Sequence, residues 1–362
     1  MSSTRIDIAA GQVLVGGIEG TVLAPEDRVR LADGRLGGLI LFARNIESPR
    51  QVNELLTAAA SSAAPGWPPA LLGVDQEGGR VARLKAPLLE LPPARRLGEI
   101  DDPELTRRAA RALGAQLRAV GFSLDFAPVL DVDGGSARAV IGDRSFSSDP
   151  EVAARHGEAV VRGLVDAGIC PCGKHFPGHG ITEVDSHIDL PRVGQDRGAE
   201  VRRRLGPFAR AIAAGLPAIM PAHVVYECWD PDRPATCSQA ILGDLLRGEL
   251  GFAGAIISDD LNMGAVLRAG GPEEVAVEAL AAGADLVMVC RGADLEERVR
   301  ARVAEAARRS PALARRLLEA ADRARGLRTA FVPSPAQASD LVAVLDSPES
   351  RAVTLELESR RE

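Results

Sequence analysis

Hydrophobic residues recur along this chain in short continuous runs that end at glycine, proline or aspartate. Apolar character that is continuous rather than alternating is typical of strands buried on both faces of a parallel sheet. The pattern therefore predicts eight buried strands, over residues 11–18, 37–45, 69–76, 122–130, 169–176, 217–224, 254–261 and 284–290.

Helical patterns lie between most of these runs. Ser48-Pro49 and Asp149-Pro150 each place a capping residue before a proline at the first helical position. Strands that alternate with helices favour a parallel sheet, and eight such units favour a (β/α)8 TIM-type barrel. We predict this α/β barrel as a single domain over residues 1–330. A doubly wound open sheet is the alternative, but Gly16, Gly17 and Gly20 lack the glycine spacing of a dinucleotide site.

Residues 331–362 differ in character from the rest of the chain. The segment that follows Phe331 is rich in proline, serine and alanine and is interpreted as a linker. Ser347 and Pro348 then form the start of a short charged helix. A segment of this length cannot form a second domain. We predict a short C-terminal helical arm that packs on the barrel or on a partner.

Composition narrows the classes of function. The chain has 362 residues, 46% of them hydrophobic, and a net charge of −7, which argues against a nucleic-acid partner. It has neither a signal-peptide pattern nor an apolar run of the ~20 residues that span a membrane. We expect a cytoplasmic protein, a monomer or weak homodimer, with no membrane partner. The five cysteines are an odd number in a long chain, so a disulfide framework is not expected.

Candidate chemistry is concentrated where the predicted strands end. Active sites of this fold lie at the carboxyl ends of the strands, and charged groups placed there tend to be paired or functional. Four of the five histidines and one of the two lysines fall in this set. It comprises Arg44, Asn45, Asp75, Gln76, Glu77, Arg80, Asp125, Asp131, Asp143, Arg144, Lys174, His175, His179, Asp185, His187, His223, Asp259 and Asp260.

These residue types favour acid–base chemistry over a metal or a serine nucleophile. His175 and His179 are four apart, but Pro177 lies between them, so no helix presents both to a metal. The chain has no G-x-S-x-G motif. Asp185 can orient His187 as a general acid/base, and Asp259 at the end of a buried strand is placed as a carboxylate nucleophile.

Three segments resemble signatures of glycoside hydrolase family 3. They are Lys174-His175-Phe176-Pro177-Gly178-His179-Gly180, Asp185-Ser186-His187 and Ser258-Asp259-Asp260-Leu261-Asn262-Met263. Residues 74–83 and 141–146 are similar to further family segments, and the resemblance runs from about residue 11 to 291. The Asp-Ser-His loop resembles the single-domain bacterial branch, the β-N-acetylhexosaminidases of cell-wall (peptidoglycan) recycling.

The resemblance implies a role for each matching residue. It implies Asp259 as nucleophile, His187 as acid/base and Asp185 as its dyad partner, with no metal and no cofactor. Residues that hold N-acetylglucosamine would be Asp75, Arg83, Arg144, Lys174 and His175. The implied activity is a retaining exo-β-N-acetylglucosaminidase that acts on small muropeptide-type fragments through a covalent glycosyl-aspartate. Asp260 should point away from Asp259 along the strand and serve the structure.

Several alternatives stay open. A neutral histidine does not repel an anionic acceptor as a second carboxylate would, so an N-acetylglucosaminide phosphorylase is possible. A β-glucosidase or xylosidase is another alternative, against which the loop at 185–187 argues. A non-catalytic sugar-binding barrel would require a site that lacks a working residue. His179, His223 and Tyr226 could either contact substrate or pack behind the site.

Overall fold

The computed structural model describes residues 3–63, 66–135, 140–182, 186 and 188–360. Within them, eight parallel strands close into a barrel in chain order, with the last strand paired to the first. The predicted (β/α)8 fold is confirmed, and the open doubly wound sheet is wrong. The strands are β1 Leu14–Gly17, β2 Gly38–Leu41, β3 Leu71–Val74, β4 Leu124–Asp125, β5 Cys170–Phe176, β6 Ala218–Pro221, β7 Ala255–Asp260 and β8 Leu286–Val289.

Each predicted apolar run contains one of these strands, but every strand is shorter than its run. The largest difference in length is at β4, which occupies only two residues of the run 122–130. Pro128 has no N–H group to donate to a neighbouring strand, so regular pairing stops before it. The chain then rejoins the sheet through an isolated bridge between Val129 and Lys174.

Helices surround the barrel; some lie where the helical patterns predict them, and others, such as Ser3–Gln12 and Ala293–Arg309, were not predicted. Ser48, Asp102 and Asp149 each accept a hydrogen bond from a backbone N–H of the first turn, as capping residues do. The helices are Ser3–Gln12, Pro25–Ala32, Pro49–Ala60, Ala94–Ile100, Pro103–Val120, Pro150–Asp166, Gly198–Arg203, Gly206–Ala213, Gly264–Arg268, Pro272–Ala282, Ala293–Arg309, Pro311–Ala330, Leu341–Leu345 and Pro348–Ser359, with a wider π-type helix at Ala240–Glu249. Two short two-stranded sheets pair Gln76–Gly78 with Val81–Ala82 and Arg192–Val193 with Val225–Tyr226.

The apolar core forms two layers, one inside the barrel and one between the barrel and its helices. Cys170 and Cys172, two residues apart on β5, both point into the inner layer. All five cysteines are free thiols, and Cys228 alone among them is partly exposed.

The C-terminal arm packs on the barrel of its own chain. Its two helices lie against the helix Pro103–Val120. Gln116 on that helix donates to the carbonyl of Leu345 at 2.7 Å and accepts from the N–H of Leu89 at 2.7 Å. Ser347 caps the last helix by accepting from the N–H of Ser350, as predicted. The domain boundary at residue 330 stays a prediction.

No helix in the described part of the chain combines the length and the apolar character needed to cross a bilayer. The cytoplasmic location, the oligomeric state and the expectation of no nucleic-acid or membrane partner stay predictions.

Candidate active site

A cavity of about 290 Å³ opens at the carboxyl end of the barrel strands. It is lined by all five residues that the resemblance assigns to sugar binding, together with Asp259. The described residues that line it are Ile40, Phe42, Asp75, Glu77, Arg80, Val81, Arg83, Val140, Arg144, Lys174, His175, Met220, Asp259, Asp260, Met288 and Cys290.

A small hairpin after β3 brings two carboxylates to this cavity. Gln76 anchors it: the side-chain oxygen accepts from the N–H groups of Arg83 and Leu84, and the side-chain nitrogen donates to the carbonyl of Leu84. Gly78 turns the chain with a φ of 105°, a conformation that favours glycine. Since Gln76 is buried and alternate residues share a face, Asp75 and Glu77 both reach the cavity.

Four of the predicted binding residues form one ion network centred on Glu77. Lys174 Nζ lies 2.8 Å from Asp75 Oδ1 and 2.7 Å from Glu77 Oε1. Arg144 holds Glu77 in two parallel bonds of 2.8 Å, and Arg83 Nη2 lies 3.3 Å from Asp75 Oδ2. The network presents ammonium, guanidinium and carboxylate groups in fixed positions, which suits recognition of sugar hydroxyl and amide groups.

The charges of this network favour the ionised forms of Glu77 and Lys174. Burial alone would raise the pKa of Glu77, but Lys174 and Arg144 outweigh it and lower that pKa to about 2. Burial likewise opposes the charge of Lys174, yet Asp75 and Glu77 raise the pKa of its ammonium group. Glu77 is predicted from the sequence to lie at a strand end, but no role is predicted for it. Glu77 lies two residues after Asp75, and this spacing indicates that the two side chains share a face of the strand.

The fifth predicted residue, His175, is oriented by a buried carboxylate. Asp131 Oδ2 accepts from His175 Nδ1 at 2.7 Å and from the backbone N–H of His175 at 3.2 Å. Its other oxygen accepts from the backbone N–H of His179 at 2.5 Å. Burial would raise the pKa of Asp131, but His175 outweighs it and holds that pKa below its usual value. The bond at Nδ1 leaves His175 Nε2 available to a ligand in the cavity.

Local backbone geometry explains the residue types of the segment 174–180. The peptide bond between Lys174 and His175 is cis, and the pairing of β5 with β6 shifts between Lys174 and Phe176. Gly178 has a φ of 134°. A side chain at Gly180 would lie 1.9 Å from the carbonyl oxygen of Val132, so only glycine permits this close packing.

Asp259 lies at the end of β7 and is partly exposed to the cavity. Its Oδ1 accepts from the N–H of Asp260 at 2.8 Å. Burial would raise the pKa of Asp259, but the imidazoles of His223 and His175 and the ammonium of Lys174 outweigh burial and lower it. Asp259 is therefore a carboxylate held as the anion, with one face open to a ligand.

Asp260 also lines the cavity, so the expected strict alternation with Asp259 is not kept. The reason is a register shift between Ile257 and Asp260 in the pairing of β7 with β8. The carboxylate of Asp260 accepts from the N–H groups of Asn262 and Cys290, both at 3.0 Å. The bond from Cys290 ties the end of β7 to the chain that follows β8.

Asp185 and His187 lie outside the residues that the structure describes, and their predicted roles stay predictions. Ser186 between them is described and is 4% exposed. Its carbonyl accepts from the N–H of Ala265 at 3.1 Å, and its hydroxyl lies 3.1 Å from His179 Nε2. Burial and His175 lower the pKa of His179 to about 4, so its ring is neutral near pH 7.

His179, His223 and Tyr226 are all buried and are absent from the described lining of the cavity. Tyr226 donates its hydroxyl to the carbonyl of Gly178 at 2.9 Å. The described residues hold no group of three or more His, Cys, Asp or Glu that could bind a metal ion. The prediction that the protein needs neither metal nor cofactor remains a prediction.

Comparisons with known proteins agree with this geometry. The family described as Glycosyl hydrolase family 3 N terminal domain matches residues 11–320. A Beta-hexosaminidase from Thiobacillus denitrificans is 44% identical over 292 residues, which are 79% of this chain and 80% of that protein.

Solved structures extend the similarity to the fold. A family 3 beta-N-acetylglucosaminidase from Paenibacillus sp. is 33% identical with a TM-score of 0.85, covering 98% of this chain and 68% of that chain. NagZ from Neisseria gonorrhoeae is 34% identical with a TM-score of 0.79, covering 97% of this chain and 98% of its own. The Neisseria protein has also been solved with N-trifluoroacetyl-D-glucosamine and with zinc ion. The present chain thus belongs to glycosyl hydrolase family 3 and is a glycoside hydrolase of the β-hexosaminidase type.

Proposed function

We propose that this protein is a retaining exo-β-N-acetylglucosaminidase that removes a terminal N-acetylglucosamine from small muropeptide-type fragments. In this proposal Asp259 is the nucleophile, His187 is the general acid/base and Asp185 orients His187. Asp75, Arg83, Arg144, Lys174 and His175 hold the sugar. The observation that carries the proposal is the anionic Asp259 at a cavity lined by these five groups.

In the first step, a carboxylate oxygen of Asp259 attacks the anomeric carbon of the bound sugar. The bond from that carbon to the leaving oxygen breaks, and the leaving oxygen takes a proton from the imidazolium of His187. The products of this step are a glycosyl ester on Asp259, a neutral His187 and the released alcohol. Cations around Asp259 favour its ionised form and so keep it competent to attack.

In the second step, His187 accepts a proton from a water molecule while the water oxygen bonds to the anomeric carbon. The ester bond to Asp259 breaks, which restores the carboxylate and the imidazolium. Two inversions at the same carbon give net retention of configuration. Most retaining glycosidases use two carboxylates for these roles, and the histidine here replaces one of them.

The size of the cavity supports exo action on one sugar unit. Its volume of about 290 Å³ lies just below the range of roughly 300–1,000 Å³ for small-molecule sites. Arg80, Arg83 and Arg144 contribute three guanidinium groups to the lining, and guanidinium groups bind carboxylates such as those of the proposed aglycone. A muropeptide-type fragment carries such carboxylates.

A panel of aryl β-glycosides tests this function. We expect hydrolysis of the N-acetylglucosaminide at a kcat/KM far above that of the glucoside and xyloside, with the β-anomer of the sugar seen first by NMR. Equal rates on all three donors would overturn the assignment of substrate. Inorganic phosphate should leave the rate unchanged; acceleration with release of a sugar 1-phosphate would show a phosphorylase instead.

A further inference from the structure

Gln116 is a buried amide, 1% exposed, whose two ends bond to parts of the chain that are far apart in sequence. Its side-chain oxygen accepts from the N–H of Leu89 at 2.7 Å. Its side-chain nitrogen donates to the carbonyl of Leu345 at 2.7 Å and to the hydroxyl of Ser350 at 3.0 Å. An N–H donates and a carbonyl accepts, so this orientation of the amide is the one that satisfies both sides. Gln116 is absent from the described lining of the cavity, so direct contact with the sugar does not account for it.

On one side, Gln116 holds residues 84–93, which we call the support segment. This segment follows Arg83 directly and forms neither helix nor strand. Leu88 and Leu89 in its middle are buried. Among the residues that the structure describes, Gln116 is the one side chain outside the support segment that hydrogen-bonds to the backbone of residues 85–91. Because this backbone pairs with no strand, its position depends on that bond and on the buried leucines.

The hairpin Gln76–Ala82 rests on the support segment. The N–H of Gly79 donates to the carbonyl of Leu91 at 2.9 Å. A side chain at Gly78 would lie 2.7 Å from the carbonyl oxygen of Pro92, so the turn of the hairpin is in close contact with the segment. Leu89 and Leu91 are two residues apart, which limits their separation to about 7 Å. A displacement of Leu89 is therefore transmitted to the turn of the hairpin.

The position of the hairpin sets the position of charged groups in the cavity. Glu77 lies within the hairpin, and Asp75 and Arg83 flank it on either side. The proposed nucleophile Asp259 is carried by β7 and not by the hairpin. A displaced hairpin should therefore weaken binding of the sugar more than it slows the chemical step.

On the other side, Gln116 bonds to the C-terminal arm. Leu345 ends the first helix of the arm, and Ser350 lies in the first turn of the second. The arm is docked by buried apolar side chains, among them Leu345 and Val353, and by an ion pair of 2.7 Å between Arg108 and Glu356. The amide of Gln116 thus connects the docked arm to the support segment.

We propose that Gln116 is a positioning residue: through it, the C-terminal arm holds the support segment, and so the hairpin, in the position that binds the sugar. This inference rests on the proposed function only for the statement that the groups of the hairpin bind N-acetylglucosamine. It gives residues 331–362 a role in affinity for the substrate.

The first pair of variants makes the same substitution at two buried glutamines. Gln116→Met keeps the length of the side chain and removes its three hydrogen bonds. Gln12→Met is the matched control, since Gln12 is also 1% exposed, donates to the carbonyl of Gly34 at 2.9 Å and accepts from Arg328 at 2.6 Å. None of the described contacts of Gln12 involves the support segment or the arm.

The second pair acts on the arm itself. Val353→Asp places a carboxylate in the buried face of the last helix, where the side chain is 1% exposed, and should undock that helix. Leu355→Asp makes the same change on the same helix at a side chain that is 67% exposed.

Three measurements report on these variants. They are kcat and KM for an aryl N-acetylglucosaminide, the calorimetric Kd of N-acetylglucosamine, and amide hydrogen exchange of a peptide that covers residues 76–91. Exchange reports local opening of the hairpin and the support segment and does not depend on activity.

In Gln116→Met and Val353→Asp we expect KM and Kd to rise on the order of tenfold, because small displacements of binding groups are costly. The value of kcat should stay within about twofold of the wild type, as when binding common to substrate and transition state is lost. Exchange in residues 76–91 should become faster. Gln12→Met and Leu355→Asp should match the wild type in all three measurements. Should Gln116→Met fail to fold, Val353→Asp against Leu355→Asp makes the same comparison.

A merely structural role of Gln116 gives a different result. KM at the wild-type value in Gln116→Met, unchanged exchange in residues 76–91, or an equal rise of KM in Gln12→Met would each overturn the inference. A rise in Gln116→Met without one in Val353→Asp would overturn the role of the arm. A wild type that neither binds N-acetylglucosamine nor hydrolyses its glycosides would overturn the proposed function. Faster exchange in Gln116→Met than in Gln12→Met would in that case leave the support of the hairpin standing.

Discussion

Lys174 Nζ lies 2.7 Å from Glu77 Oε1, so one of the two lysines of this chain is buried against a carboxylate of the candidate active site. The Lys174 side chain is 4% exposed and that of Glu77 is 5% exposed. Because Glu77 also holds Arg144, its carboxylate links two of the proposed sugar-binding cations. The other lysine, Lys85, forms a surface pair with Glu90 at 3.8 Å, which makes it a natural control.

Replacement of Glu77 should impair both stability and activity. Glu77→Gln leaves two cations without their shared carboxylate, and breaking a buried pair costs about 3–5 kcal/mol. Since the pKa of Glu77 is lowered from 4.5 to about 2, its contribution is complete above pH 4.5 and is lost as pH falls towards 2. Urea unfolding from pH 3 to 7 measures this difference, with Glu90→Gln expected to cost about 0–1 kcal/mol. Equal effects of the two variants would contradict the role given to Glu77.

Removal of Asp259 should nearly abolish hydrolysis without unfolding the protein. Asp259→Ala deletes the proposed nucleophile, and we expect kcat to fall on the order of 10³-fold or more. Circular dichroism and thermal unfolding check the fold, and Asp232→Ala, at an exposed carboxylate, serves as the matched control. Turnover of Asp259→Ala within tenfold of the wild type would exclude a covalent aspartyl intermediate.

Loss of His187 should depend on the leaving group. A general acid contributes about 10²–10⁴-fold, and it does so chiefly where the leaving oxygen is basic. His187→Ala should therefore be slow on a natural disaccharide and much less affected on a dinitrophenyl glycoside. The plot of log kcat/KM against the pKa of the leaving phenol becomes steeper in the variant. A parallel line displaced downward would argue against the acid role.

Asp125 should make the stability of the protein depend on pH in the neutral range. Its Oδ1 accepts from the N–H of Gln76 at 2.9 Å, whereas Oδ2 is buried with no hydrogen-bond partner among the described groups. Burial raises the pKa of Asp125 to about 7. Between pH 4 and 7 the unfolded chain is ionised here while the folded chain stays protonated, so stability falls as pH rises.

Asp125→Asn keeps the acceptor for Gln76 and removes the ionisation. The free energy of unfolding of the variant minus that of the wild type should increase, as pH rises across this range, by up to about 1.4 kcal/mol per pH unit. Chemical denaturation at pH 5, 6, 7 and 8 measures the difference, which should level off above pH 7. A constant difference at every pH would show that Asp125 does not titrate in this range.

Much of the architecture can be predicted from local sequence patterns. Continuous apolar runs and capping residues such as Ser48 depend on near neighbours in the sequence, so they predict strands and helices without knowledge of contacts. The barrel follows from the number and alternation of these units. The register shifts at Lys174 and Asp260 are not readable in this way, because they arise where two strands meet. For that reason Asp259 and Asp260 both line the cavity, and the alternation expected of neighbouring strand residues is not observed.

Local sequence patterns are sufficient to predict the eight-stranded barrel and the class of side chains at its carboxyl end. The motifs of 174–180 and 258–263 are sufficient to indicate the family. Tertiary structure decided which of these side chains touch one another. Glu77 and Lys174 are far apart in the chain, and so are His175 and Asp131. The pKa values of Glu77, Lys174 and Asp131 depend on mutual distance and on burial, and neither quantity is encoded in local sequence.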